Sequence, residues 1–451
     1  MTAARDVAYT VIHAVGAEDA YANLLLPREL ERARLSTADA ALATELTYGT
    51  LRRVGTYDAI IEIAAARPVS GIDPAVLDAL RLGAHQLLAT RVPAHAAVHE
   101  TVDLVGRVAG RRATGFANAV LRRVSERDED EWLSRIEDAA RSDDERLSVR
   151  FAHPVWIIRA FRRALAAEGR EAELLDLLAA DNAAPTVTLS ALPGVGEIPA
   201  DADRTPFSPL GFRLAGGDPD RIVRASGGAV RVQDEGSQLA ALALSRALPV
   251  REGERWLDLC AAPGGKTAVL AAEALAHDAR LEANELSPAR ARLVRQSVAA
   301  VPLEVPVSEE DGRTRAGRDV YDRILVDAPC TGLGALRRRP EARWRKAPAD
   351  VPELTQLQTE LLTAAVDALA PGGVVAYVTC SPHLAETAGV VAEVERRFGA
   401  EITQLDARAV LREISGGDID LAAPADGSGR AQLWPHRHAT DAMSIWLLRR
   451  S

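Results

Sequence analysis

The spacing of apolar residues changes once along this chain, and that change limits what it can fold into. In roughly the first 125 residues they recur at helical intervals: Val7, Val11, Ile12 and Val15; Ala41, Leu42, Leu46, Tyr48 and Leu51; Val76, Leu77, Leu80, Leu82, Leu87 and Leu88. Asp73-Pro74 reads as a helix start, Pro93 precedes a helix around Val98, Val102 and Val105, and a last helix covers 116–124. Strand-like alternation is scarce there, so an all-α bundle is expected. After Ser237 short β-prone runs at 255–260, 281–285, 304–307, 324–327 and 374–379 are separated by stretches of helix length. That rhythm predicts a doubly wound α/β domain with a mostly parallel sheet. Residues 443–450 read as one more strand, an antiparallel edge.

Between these regions lie an acidic, polar stretch (126–145), expected to be a linker with a short helix, and amphipathic helices around Trp156, Ile157, Ile158, Phe161 and Leu165. Then come β-prone runs at 187–189, 211–214 and 229–232, broken by Pro and Gly, a small α+β module. A chain of 451 residues exceeds one hydrophobic core. The expected domains are 1–128 (all-α), 145–235 (small α+β) and 236–451 (α/β). Apolar content of 47% with 26% charged residues reads as soluble and globular. No apolar run is long enough to span a membrane, and the first 20 or so residues lack the form of a signal peptide. A cytoplasmic monomer is expected.

Three widely spaced cysteines, Cys260, Cys330 and Cys380, exclude a disulfide framework and a zinc ribbon. His436 and His438 are not joined by a Cys or carboxylate cluster, so no metal site is expected. The 256–270 stretch, WLDLCAAPGGKTAVL, reads as strand, tight turn and helix, with Pro263, Gly264 and Gly265 bringing backbone close to a ligand. A nucleotide-triphosphate P-loop requires a glycine where Cys260 stands. A dinucleotide-like pocket instead expects an acid about 20 residues on, where Glu285 stands. Asp311 and Asp327 follow later strands, so three acids fall at the strand ends where ligands of this fold bind.

DLCAAPGGKT, EEDGR, VDAPCTGLG and YVTCSP together resemble the motifs of S-adenosylmethionine-dependent RNA cytosine-5 methyltransferases. ARDVAYTVIHAV, ELTYGTLRR, DALRLGAHQLL, VPAHAAVHETVDL and GFANAVLRRV resemble the NusB-like helical domain that precedes the catalytic domain in the RsmB family, whose members act on 16S ribosomal RNA. The resemblance covers almost the whole chain. It implies a Rossmann-like methyltransferase domain with a mostly parallel seven-stranded sheet, S-adenosylmethionine as cofactor and RNA as substrate. It also implies that Cys260, Ala261, Ala262, Pro263, Gly264, Gly265 and Lys266 form the cofactor loop. Glu285 stands where an aspartate is common, and Asp311 and Asp327 are the remaining cofactor-side acids. Cys380 matches the nucleophile and Cys330 the thiol that releases product. The stretch 436–441 departs from the family's closing segment.

The chemistry needs such thiols. Carbon 5 of cytosine is a poor nucleophile until a thiolate adds to carbon 6, after which it can take a methyl group. An ordinary thiol is only partly ionised at neutral pH, so the site must favour the thiolate. Lys266 is a candidate source of positive field, and Asp327 could hydrogen-bond the base. The residues alone do not order the two thiols: a Pro-Cys nucleophile, as in DNA cytosine methyltransferases, would favour Cys330. Arg337, Arg338, Arg339, Arg343 and Arg345, with Trp344, form a basic segment expected to hold RNA. Arg107, Arg111, Arg112, Arg122 and Arg123 form a second basic run. Two other readings stay open: a transfer-RNA cytosine-5 methyltransferase, and a non-catalytic NusB-like RNA-binding factor.

Overall fold

The computed structural model describes residues 3–315 and 320–451. The chain divides into two compact units. The first comprises Met1–Arg159, Asp181–Ala183 and Leu336–Arg345; the second comprises Ala160–Ala180, Ala184–Ala335 and Lys346–Ser451.

The first unit is helical. Helices Ala3–Ala17, Thr37–Arg52, Pro74–Ala89, Ala94–Val108 and Arg111–Val124 form where the apolar spacing predicts them. The start at Pro74 has a local cause: the Asp73 carboxylate accepts from the Ala75 and Val76 N–H groups, and Pro74 occupies the first turn, where its missing N–H costs nothing. Val7, Val11, Ile12, Leu46, Leu80 and Leu82 meet in one core with residues of Val54–Ala65, a helix the sequence reading did not single out. The acidic stretch after Val124 is no free tether. Its helix Glu129–Glu137 starts with a capping box between Asp128 and Glu131 and buries Trp132, Leu133 and Ile136 in that same core. The Trp132 Nε1–H donates to the Val124 carbonyl at 2.9 Å.

The second unit holds two sheets. In the small antiparallel one, β1 (Thr188–Ala191), β2 (Asp203–Arg204), β3 (Gly211–Arg213) and β4 (Val230–Val232) lie in the order β2-β3-β1-β4. Leu189, Ala191, Phe212 and Val230 fill its core. The large sheet contains β5 (Arg255–Asp258), β6 (Arg280–Asn284), β7 (Val307–Ser308), β8 (Tyr321–Asp327), β9 (Leu369–Thr379), β10 (Ile402–Leu405) and β12 (Ser444–Arg450), ordered β10-β12-β9-β8-β5-β6-β7. A short β11 (Ala431–Gln432) pairs with β12. The pairs β5–β6, β5–β8, β6–β7 and β8–β9 are parallel; those of β12 are antiparallel.

The central strands read as near-continuous apolar runs because both their faces are covered. Trp256, Leu325, Val374, Ala376 and Val378 pack on one side, and Leu257, Ile324, Val326, Val375 and Tyr377 on the other. Two expectations change. β12 is antiparallel but not an edge, because the four-residue β10 pairs outside it. The run at 304–307 yields only Val307–Ser308, since Pro306 has no N–H to give a ladder.

The chain leaves β5 for β6 and β7 on one side and returns to β8 on the other. The switch point therefore lies between β5 and β8, where this class of sheet opens a crevice beyond the strand ends. Among the described residues no helix is long and apolar enough to cross a membrane.

Candidate active site

The loop after β5 is shaped by one glycine. Gly264 has φ +103°, and a Cβ there would lie 2.5 Å from the Ser297 Cβ and 2.9 Å from the Val294 Cα, so no side chain fits. Helix Gly265–Ala276 begins immediately after it, with no side-chain cap on its leading N–H groups. The Thr267 hydroxyl donates to Asp258 Oδ2 at 2.7 Å, fastening the end of β5 to this helix. Burial pushes the Asp258 carboxyl up to about 7 although the Thr267 bond opposes it. Cys260 is likewise driven up by burial, aided by Asp258, and stays a neutral thiol in the loop.

The three acids differ in their surroundings. Glu285 follows β6, is buried, and accepts the Ser287 N–H at 3.0 Å. Asp327 ends β8 and accepts from Lys266 Nζ at 2.7 Å. Burial works against the Lys266 charge, but the Asp327 charge and hydrogen bond outweigh it, so the ammonium is favoured. Asp311 is already engaged. Arg313 donates to both its oxygens, with Nη2 at 2.6 Å, and these bonds hold the carboxylate below its usual range.

Asn284, at the end of β6, escaped that reading. Its amide donates to the Leu259 and Glu310 carbonyls and accepts from the Glu310 N–H and Ser308 hydroxyl, clasping the ends of three strands.

β8 and β9 pair with Asp327 opposite Val378, so the loops that follow them run side by side. Cys330 Sγ and Cys380 Sγ lie 3.4 Å apart. The bond with Cys330, assisted by the Lys266 charge, lowers the Cys380 thiol below its ordinary value against burial and the Asp327 charge. Cys330 moves the other way: its bond to Cys380, burial and Glu386 raise it. Their mutual bond thus moves the two thiols in opposite directions, with Lys266 assisting on Cys380 and Glu386 on Cys330, and Cys380 is the more readily ionised of the pair.

Glu386 holds this arrangement. The sequence reading passed over it, although it stands only six positions beyond Cys380. Its fully buried carboxylate accepts the Thr331 N–H at 2.7 Å, the Thr331 hydroxyl at 2.5 Å and the Ser381 hydroxyl at 2.7 Å. Thr331 and Ser381 are the immediate successors of the two cysteines. Gln358 Nε2 adds a bond to Glu386 at 3.2 Å and one to the Pro329 carbonyl at 2.7 Å.

The arginines divide. Arg343, expected to hold RNA, is fully buried within the first unit. It donates to the Arg52, Ala152 and Asp181 carbonyls and to Asn182 Oδ1, and burial lowers it to about 10. Arg345 donates to the Val15 and Ala20 carbonyls, and Arg337 is buried. Arg343 and Arg345 are structural cations, because carbonyls at or near helix ends take their donors. Arg338 and Arg339 are exposed. In the other run, Arg107 pairs with Asp6 and Arg123 caps the Ala64 carbonyl, while Arg111, Arg112 and Arg122 are exposed. The divergent tail is also structural: His436 meets Glu173 at 2.9 Å, and the Asp441 N–H donates to Asp234.

The donor set at the strand ends suits S-adenosylmethionine. A buried acid at the end of β6 can take ribose hydroxyls, and an uncapped helix head can take a carboxylate.

The comparisons agree. Residues 245–449 match the family model described as 16S rRNA methyltransferase RsmB/F, and residues 2–126 match the NusB family. "Putative methyltransferase Rv1407" of Mycobacterium tuberculosis (strain ATCC 25618 / H37Rv) is 49% identical, covering 99% of this chain and 96% of its own. Ribosomal RNA small subunit methyltransferase B of Serratia proteamaculans (strain 568) is 33% identical, covering 88% of this chain and 90% of its own. The crystal structure of PH0851 shares the fold, with a TM-score of 0.81 at 21% identity over 100% of this chain and 99% of that one. The chain belongs to the RsmB/F family of S-adenosylmethionine-dependent RNA cytosine-5 methyltransferases and carries an N-terminal region of the NusB family.

Proposed function

We propose that this enzyme methylates carbon 5 of one cytosine in 16S ribosomal RNA through a covalent adduct between Cys380 and carbon 6 of the base. The observation that carries the mechanism is the 3.4 Å approach of Cys330 and Cys380, with opposite pulls on their protons. The small-subunit target is supported by the family description and by the name of the Serratia relative.

Cys380 attacks because it is the more readily ionised thiol, lowered by its bond with Cys330 and, in smaller part, by the Lys266 charge. Its sulfur bonds to carbon 6, and the ring electrons pass to carbon 5. The bound cofactor, held by the 260–266 loop and Glu285, supplies an electrophilic methyl group. Lys266 keeps its proton and pairs with Asp327, which is thereby fixed at the mouth of the crevice where it can orient the base. Cys330 serves release: once its own proton has passed to solvent, its thiolate takes the carbon 5 proton, the C–H electron pair forms the carbon 5–carbon 6 double bond, and the carbon 6–sulfur bond breaks to return the Cys380 thiolate. Since carbon 6 is shielded in a stacked duplex, the target base must be flipped out or unpaired. Arg111, Arg112, Arg122, Arg338 and Arg339 are exposed cations of the two basic runs and are assigned to phosphate contact.

Cys380→Ala is expected to lower methyl transfer from labelled cofactor to RNA by about 10³-fold or more, about 4 kcal/mol of barrier. Cys330→Ala should instead accumulate a protein–RNA adduct that survives denaturing electrophoresis. An adduct trapped by the Cys380 change would reverse the assignment.

Bisulfite sequencing of RNA from a deletion strain tests the target. Loss of one methylcytosine in 16S ribosomal RNA is expected. Loss from a transfer RNA would move the substrate, and no loss together with no methyl transfer in vitro would leave a binding factor.

The depressed Cys380 pKa has a sign that can be checked. The thiolate is lost as pH falls through a value below that of an ordinary thiol. Lys266→Met removes the stabilising charge, so the loss should begin about one pH unit higher. Alkylation of Cys380 against pH, read by mass spectrometry, measures this without cofactor or RNA.

Glu386→Gln puts an amide N–H₂ against hydroxyl and backbone donors. Stability should fall by about 2–3 kcal/mol in thermal unfolding. Turnover should drop about tenfold or more while cofactor affinity is kept.

A further inference from the structure

Gln233 directly follows β4, and its backbone is fully used. Its N–H donates to the Thr188 carbonyl at 3.0 Å, and its carbonyl accepts from Gln238 Nε2 at 3.0 Å. Its side chain is different. The residue is 7% exposed, yet neither the amide oxygen nor the amide nitrogen has a hydrogen-bond partner. Burying an amide this way costs about 1–3 kcal/mol, and native proteins rarely leave one so without a reason.

The reason lies beside it. A Cβ built on Gly265 would sit 3.4 Å from Gln233 Nε2, 3.7 Å from its Cδ and 3.9 Å from its Cγ. The unpaired amide therefore packs against the first residue of helix Gly265–Ala276, whose leading N–H groups have no side-chain cap. Two sets of unused polar groups thus meet at the cofactor loop.

We propose that Gln233 contacts the cofactor, its amide reading the amino-acid end of S-adenosylmethionine. That end is a zwitterion: its carboxylate accepts hydrogen bonds and its ammonium donates them. A primary amide is complementary to both, Nε2 donating to the carboxylate and Oε1 accepting from the ammonium. The helix head adds N–H donors and a positive dipole end on the carboxylate side. An RNA phosphate suits the site less well, because it accepts only and would leave Oε1 unpaired.

The test uses the full-length protein with Gln233→Met, which keeps the bulk and removes both polar atoms. S-adenosylhomocysteine, which retains the amino-acid end, is titrated calorimetrically in the absence of RNA. Its affinity is expected to fall about tenfold or more, whereas that of adenosine, which lacks the amino-acid end, should stay within about twofold. The melting temperature of the ligand-free protein should hold or rise, since an unpaired buried amide has been replaced by an apolar group of similar shape. Unchanged S-adenosylhomocysteine affinity would overturn the proposal, whether RNA affinity or the ligand-free melting temperature falls with it or not. Equal losses for adenosine and S-adenosylhomocysteine would also overturn it, because the amide would then be shaping the pocket and not reading the amino-acid end.

Discussion

One buried carboxylate organises the reactive end of the catalytic sheet. Parallel pairing of β8 and β9 brings the loops after Asp327 and Thr379 alongside each other, but pairing alone leaves loops free to diverge. Glu386 closes that freedom by accepting from the residues that follow each cysteine, Thr331 and Ser381. A buried carboxylate is costly unless its lone pairs are taken, and here two hydroxyls, a backbone N–H and the Gln358 amide take them. The same bonds that satisfy the charge hold two sulfur atoms 3.4 Å apart.

The bond between the two sulfur atoms then separates two chemically identical groups. Lys266 is held at the crevice by Asp327 and acts on Cys380, while Glu386 acts on Cys330. Burial alone would raise both thiols. What differs is the effect of their mutual bond, which lowers Cys380 and raises Cys330, with Lys266 adding to the first and Glu386 to the second. Cys260, close in sequence to Lys266, is raised first by burial and then by Asp258.

The arginines after Cys330 carry the lesson about legibility. In the sequence they form a cationic segment next to a catalytic thiol, and RNA contact is the natural reading. In the folded first unit Arg343 and Arg345 face the carbonyls of Arg52, Ala152, Asp181, Val15 and Ala20. A guanidinium is equally suited to a phosphate or to a cluster of peptide carbonyls, and which it meets depends on helix ends hundreds of residues away. Asp311 shows the same ambiguity, its carboxylate taken by Arg313 two residues on. Glu386, Asn284 and Gln233 were illegible for the converse reason: each is an ordinary residue type whose importance comes from partners distant in the chain.

What the sequence determined by itself is whatever short-range periodicity and local turn chemistry encode. Helical spacing before residue 125, alternating strands and helices after Ser237, the glycine turn at Gly264 and the placement of Cys330 and Cys380 beyond strand ends all follow from neighbours within a few positions. Tertiary structure decided the rest: the interior place of β12, the burial of Arg343, the 3.4 Å approach of the sulfur atoms and the unpaired amide beside Gly265. Those outcomes depend on which groups meet across long sequence separations, and on whether a charge or hydrogen-bonding group finds its partner in a medium without water to replace it.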